Sequence, residues 1–323
     1  GITMLTGLEI YRFRGIRELK LNGLAQVNVL MGRNNAGKSS VLEALYLASA
    51  AFRYEDPLGR GNKIEYLLNR RGKRGLSWEE GRETLWYGYD NEEAIMIKLR
   101  AKDEELYAAL RREHEHPLVM VGPSGPALCL HDKLIYDIVE KRYYRSPLRF
   151  PVLSKLIDKA ASSLRNFIKD TVFVDAALLR EVERVEERLW TPLFEKGLDV
   201  LVIDLLKTGY DTDIEYLTYM PFHGAYQLVA RMSRTSTIPT QRIDDLGDGA
   251  RYALVIIMVA VLAENTVLLI EEPESHQHPG GLARMLEMLL ALAKKNGIQL
   301  FMSTHSVEAA RLTNAIAGEL GLD

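Results

Sequence analysis

The chain has one cysteine, Cys129, which excludes an internal disulfide framework. It also lacks an apolar run long enough for a bilayer. The most apolar stretch, Ala253 to Ala263, falls short of the roughly 20 residues that a spanning helix needs, and Glu264 and Asn265 interrupt it before Val267. We read a buried helix, a turn and a buried strand, and no membrane. No basic-then-apolar leader precedes the first strand-like segment, so the expected setting is the cytoplasm. Neither sign of charge dominates: 41 Lys plus Arg face 44 Asp plus Glu, a net charge of −3 over 323 residues. Any nucleic-acid contact must therefore come from a local patch. There is no low-complexity tract, and the heptad-like spacing of Leu178, Val182, Val185 and Leu189 is too short for a long coiled coil.

What is present begins with Gly32-Arg33-Asn34-Asn35-Ala36-Gly37-Lys38-Ser39, of the form G-x-x-x-x-G-K-S. It follows an apolar run, Val27 to Met31, and opens onto Val41 to Leu47, whose apolar residues recur at helical spacing. Strand, glycine-rich loop and helix are the context a P-loop requires. Backbone N–H groups curl around a phosphate there, and the helix adds the positive end of its dipole. Lys38 is expected to reach the β- and γ-phosphates of ATP, and Ser39 to place its hydroxyl on Mg²⁺.

Later, Val267-Leu268-Leu269-Ile270 runs directly into Glu271-Glu272-Pro273-Glu274. Alone this would be an acidic surface turn. Beside a P-loop it suits a division of labour in which one acid holds the metal and the next polarises the attacking water. Asp245-Leu246-Gly247-Asp248-Gly249-Ala250-Arg251 opens the apolar helix at Tyr252, so its glycines make an anion-ready helix start. Ile298 to Met302 is another buried strand, ending in Ser303-Thr304-His305-Ser306. Asn69 to Gly75 is a basic loop with Trp78 and Trp86 behind it. It reads either as a nucleic-acid phosphate contact or as a solvated loop.

Phe13-Arg14-Gly15-Ile16 between two strands, followed by Val29 to Gly37 and Lys38-Ser39-Ser40, resembles the amino-terminal half of ABC-type ATPases. The nearest branches are the overcoming-lysogenization-defect ATPases and the recombination-repair and chromosome-maintenance ATPases. The phrase Asn34-Asn35-Ala36-Gly37-Lys38-Ser39-Ser40 is more specific than a bare P-loop. The resemblance implies an α/β fold: a P-loop NTPase of the ABC-ATPase head type, its mixed sheet flanked by helices. It covers roughly residues 3–50 and 170–310. Residues 1–52 and 171–323 are then two parts of one ATPase domain, and 53–170 is a mostly helical insertion.

The same resemblance assigns Glu271 to magnesium and Glu272 to the catalytic base, although the family more often has Asp at the first position. His305 matches the switch histidine on the γ-phosphate, and Arg14 braces the P-loop or contacts nucleotide. Gly247, Asp248 and Gly249 match the signature loop, which closes over the nucleotide of an opposite subunit. Its usual serine is absent, and Asp248 has to point away, cap the helix or pair with Arg251; a plain capped helix is the alternative. His276 and His278 match a turn near the dimer contact better than a metal site. No glutamine lever can be placed.

These parts imply an ATP-hydrolysing switch, a homodimer around two ATP·Mg²⁺, in DNA repair, recombination or defence against foreign DNA. The expected partners are DNA and a nuclease or other effector, since the residues after His305 leave no room here for a nuclease domain. The alternatives are a nucleotide-gated scaffold regulating a partner such as a nuclease or toxin, and, less well matched, a small-molecule phosphotransferase.

Overall fold

The computed structural model describes residues 3–32, 37–72, 75–145 and 149–322. In chain order its elements begin with β1 (Gly7–Phe13), β2 (Ile16–Asn22), β3 (Val27–Met31), α1 (Gly37–Ala50), α2 (Lys63–Asn69) and α3 (Trp78–Gly81). Next come β4 (Ile95–Arg100), β5 (Glu105–Arg111), β6 (His114–Met120), β7 (Ala127–Cys129), β8 (Leu134–Asp137), β9 (Arg142–Tyr144) and α4 (Arg149–Ile168). Then follow β10 (Val172–Val174), α5 (Val182–Glu195), α6 (Asp199–Gly209), β11 (Ile214–Phe222), β12 (Ala225–Met232) and β13 (Thr240–Arg242). The chain closes with α7 (Asp248–Leu262), β14 (Val267–Glu271), α8 (Pro279–Asn296), β15 (Gln299–Thr304) and α9 (Val307–Glu319).

The architecture is α/β, as expected. A parallel sheet of order β10-β14-β15-β3 lies at the centre. Its strands are near-continuous apolar runs because helices cover both faces: Val267, Leu268, Leu269 and Ile270 are each 0% exposed. The Ala253 to Ala263 run supplies most of α7, which is buried almost all round. α8 starts with His278 as its N-cap and Pro279 in its first turn, and it stops at left-handed Gly297. Among the described residues, no helix is long and apolar enough to cross a membrane.

The expected helical insertion is corrected. Residues 53–170 contain β4 to β9, which extend β2 and β1 into one antiparallel sheet of order β2-β1-β4-β5-β6-β7-β8-β9. The amino-terminal hairpin and the middle of the chain thus share a sheet rather than forming a domain and an inserted lobe. Glu104 to Arg112 reads as a helix by its Glu, Leu and Ala content, yet Leu106, Ala108 and Leu110 alternate into the core as β5. Pairing with β4 on one side and β6 on the other overrides the helical propensity. Leu134, which with Leu130 and Ile138 has the spacing of an amphipathic helix, likewise begins strand β8. The long helix of this region is α4.

The two larger sheets are tied together by one side chain. Gln299 at the start of β15 accepts from Leu5 N (2.8 Å) and donates to the carbonyls of Leu5 (2.9 Å) and Ala25 (2.8 Å).

Candidate functional site

Thr304 of β15 lies opposite Met31 of β3, and Glu271 of β14 lies opposite Ser303, so three parallel strands end side by side. The carboxyl ends of such strands are where open α/β sheets collect ligands. Asn34 and Asn35 lie outside the described residues. Gly37 opens α1, and Gly32, Gly37 and Lys38 border a cleft of about 660 Å³ shared with the β2 residues Ile16 to Leu19.

Lys38 folds over the strand ends. Its ammonium donates to the carbonyls of Gly32 (2.7 Å) and Thr304 (3.3 Å), and it lies 2.8 Å from His305 Nδ1. An ammonium has donors only, so His305 Nδ1 accepts and the ring proton resides on Nε2, where it meets Glu272 Oε1. Glu272 sits at the strand end with a left-handed φ of 47°. Glu274 anchors the histidine backbone: its Oε1 accepts from Thr304 Oγ1 (2.7 Å) and His305 N (3.0 Å). The other oxygen of Glu274 is buried with no hydrogen-bond partner among the described residues.

Ser39 Oγ donates to Glu271 Oε2 at 3.1 Å. A hydroxyl and a carboxylate oxygen facing each other form the hard donor set that Mg²⁺ takes, so these residues fit the ion. Burial pushes the Glu271 carboxyl up, with Arg70 opposing. Arg70 bonds the same Glu271 oxygen, donates to Asp175 Oδ2 at 2.8 Å and lies 3.3 Å from Glu43 Oε2. Glu43, on α1, is fully buried and also pairs with Arg14 (3.0 Å) and Arg71. Against the burial penalty, Arg14, Arg70 and Arg71 together hold its carboxyl below the ordinary range.

Of the two roles expected of Arg14, the contacts are those of a brace: its side chain is 6% exposed and donates to Glu43, Leu67 O (2.6 Å) and Thr84 O (3.1 Å). Arg70 and Arg71 are spent on carboxylates, and Trp78 and Trp86 are buried in the core. Lys73 and Arg74 lie outside the described residues.

Gly247, Asp248 and Gly249 stand apart from this cluster; among the described residues none is hydrogen-bonded to Lys38 or Ser39. They border a cleft of about 500 Å³ with Thr212, His276 and His278. Gly249 packs on the next turn so closely that a Cβ would lie 2.2 Å from the His276 carbonyl, and Gln277 Nε2 donates to Gly249 O at 2.7 Å. Asp248 is exposed in the first turn of α7 and does not pair with Arg251. Arg251 instead bonds Asp244 and Glu186, each at 2.5 Å. His278 caps α8, its Nδ1 accepting from Gly281 N.

Ser40 is fully buried on α1, with Arg71 Nη2 3.4 Å from its hydroxyl. No glutamine among the described residues contacts Ser39 or Glu271. Sequence reasoning gave no site role to Glu43, Arg70, Asp175 or Glu274. For Glu43 and Asp175 the signals were an acid inside the apolar run of α1 and a second apolar strand, Val172 to Val174, that also ends in an acid.

The model of the AAA ATPase domain matches residues 132–310. The chain belongs to the AAA ATPase domain family. A second model, a protein of unknown function (DUF2813), matches residues 3–54, where the P-loop of this AAA-family chain lies. An ATP/GTP phosphatase of Helicobacter pylori is 33% identical over 94 residues, 29% of this chain and 24% of that protein. Uncharacterized proteins of Methanocaldococcus jannaschii are 56% identical over 48 residues (15% of this chain, 22% of the relative) and 36% over 63 (20% and 55%). The chain thus spans about a quarter to half the length of these curated relatives.

Solved Smc head structures share the fold. An Smc head bound to the C-winged helix domain of ScpA aligns with TM-score 0.53 at 9% identity, over 95% of this chain and 92% of that one. An Smc head with an extended coiled coil, bound to the C-terminal domain of ScpA derived from Pyrococcus furiosus, aligns with TM-score 0.51 at 10% identity, over 98% and 92%. The AAA-family chain therefore has the α/β fold of ABC-type ATPase heads.

Proposed function

We propose that this chain is an ATP-hydrolysing switch whose site is assembled by Lys38, Ser39, Glu271, Glu272 and His305. The observation that supports it most is their convergence at the ends of β14 and β15 and the start of α1, joined in a chain from Lys38 through His305 to Glu272. Gly37, Lys38, Ser39 and Ser40, with Asn34 and Asn35, would hold the phosphates of ATP. Ser39 and Glu271 would hold Mg²⁺, which when bound neutralises charge on the phosphates.

The residues of the chain divide the remaining work. Glu272 accepts a proton from water, and His305 Nε2–H orients the carboxylate that does so. Lys38 leaves the carbonyls of Gly32 and Thr304 to meet the terminal phosphate. Glu274 keeps the His305 backbone still, so that the ring turns about a fixed point.

Gly247, Asp248 and Gly249 point to a second copy of the chain. Lying apart from Lys38, they would complete a nucleotide site in head-to-tail pairing, and ATP would stabilise the dimer by binding it better than the monomer. By its sequence resemblance the chain would fall in the overcoming-lysogenization-defect-like or the recombination-repair and chromosome-maintenance branch, with DNA and an effector such as a nuclease as its partners in repair, recombination or defence.

The test is Glu272→Gln. The variant should bind ATP·Mg²⁺, hydrolyse it at least ~100-fold more slowly, and show twice the monomer mass by light scattering with ATP but not with ADP. Undiminished turnover would remove Glu272 as the base, and a monomer under saturating ATP would remove the sandwich. An ATP-dependent dimer in a wild type that does not turn over would favour the nucleotide-gated scaffold. Binding of the trapped dimer to duplex DNA, weakening steeply with salt, is the readout for the DNA assignment.

A further inference from the structure

Far along the eight-stranded sheet from β1, strand β6 and the turn between β7 and β8 gather His114, His116, Cys129, His131 and Asp132. The arrangement follows from the strands. His114 and His116 are two apart on β6 and share a face, while Cys129 ends β7 and the turn returns His131 and Asp132 towards them. In each of the triads His114, Cys129, Asp132 and His116, His131, Asp132, the ligand atoms lie within 4.8 Å of one another. Asp132 belongs to both.

The hydrogen bonding marks a place for a cation. His114 Nδ1 faces the His116 carbonyl at 3.2 Å, an acceptor only, and so bears the ring proton. Its Nε2 then presents a lone pair to Asp132 Oδ2 at 3.0 Å. Two lone pairs at that distance repel unless a second proton or a metal ion lies between them. Asp132 Oδ2 is also 3.6 Å from His116 Nε2, and the other nitrogen of His116 is buried with no hydrogen-bond partner among the described residues. The Cys129 sulfur accepts from Asp132 N at 3.4 Å, which keeps the thiol beside the carboxylate.

We propose that this cluster is a site for one zinc-class divalent cation, ligated by His114, Cys129 and Asp132, with His116 the nearest fourth donor. Imidazole and thiolate select such ions over Mg²⁺, so the site does not compete for the ion expected at Ser39 and Glu271. Binding releases the thiol proton of Cys129 to solvent and forms the sulfur–metal bond. The ion would staple β6 to the β7–β8 hairpin, which is otherwise joined to it through short β7. No residue is shared with the proposed ATP site, so the two readings stand or fall separately.

The full chain, stripped with a chelator, is titrated with Zn²⁺ by calorimetry and its metal content measured after gel filtration. One zinc per chain is expected, with affinity at least about tenfold weaker in Asp132→Asn and in His114→Gln. Cobalt should give a sulfur-to-metal charge-transfer band that vanishes in Cys129→Ser. Should that buried variant fail to fold, the band in the wild type and the Asp132→Asn titration still decide. The proposal is overturned by no zinc uptake, which would leave a His114–Asp132 ion pair. It is equally overturned by uptake that survives Asp132→Asn and disappears in His278→Ala.

Discussion

Arg70 holds Glu43, Asp175 and Glu271 with one guanidinium that is 5% exposed. Removing it takes a guanidinium away from three carboxylates at once, of which Glu43 keeps Arg14 and Arg71, so Arg70→Met should cost about 3–5 kcal/mol in urea unfolding. Arg70→Lys should recover little, because an ammonium cannot reproduce the fork. Lys63 gives a prediction of opposite character. It is 0% exposed, and burial, opposed by Asp56, pushes its ammonium down to about 7. The unfolded lysine, near 10.5, binds the proton more tightly. The resulting penalty is complete below pH 7 and is relieved as the pH rises towards 10.5, by up to about 1.4 kcal/mol per pH unit. Unfolding free energies of the wild type should therefore climb between neutral pH and pH 9, and Lys63→Met should flatten the slope. At this scale the sequence was legible where a residue type sits in a spaced pattern, as with Lys38, Ser39 and the Glu271-Glu272 pair. Arg70 was illegible because a basic loop looks the same whether its charges meet water or buried acids. The metal-ligating group escaped notice for a related reason: His114, His116 and the Cys129 to Asp132 turn are separated in sequence, and only antiparallel pairing joins them.

Among the elements, the start of α7 packs closely on the turn before α8. A methyl group at Gly249 would meet the His276 backbone carbonyl at 2.2 Å, and backbone cannot swing aside, so Gly249→Ala must push α7 off the turn. A loss of about 1–3 kcal/mol is expected. If this loop serves a second subunit, ATP-dependent dimerisation should be lost while nucleotide binding by the variant monomer, followed by fluorescence, persists. The parallel strands β10, β14 and β15 were readable because each is an apolar run followed by polar residues. β5 was not: Glu, Leu and Ala favour a helix, and the alternation that makes Glu105–Arg111 a strand is enforced by its neighbours. The short strands β7, β8 and β9 have three or four residues apiece, too few for a period to declare itself.

For the whole molecule, the eight-stranded sheet makes the middle of the chain a continuation of β1 rather than an appended lobe. Through Gln299 that sheet is pinned to β15, the strand that ends at His305. The consequence is mechanical leverage. Six strand intervals separate β1 from β9, and at about 4.8 Å each they make a plate roughly 30 Å wide. A tilt of about 5° at its pinned edge would sweep the far edge through roughly 2–3 Å. Spin labels on β9 and α8 should report that stroke as a change in separation when ATP is added to Glu272→Gln, and a constant distance would mean that the plate does not gear the site to a distant partner.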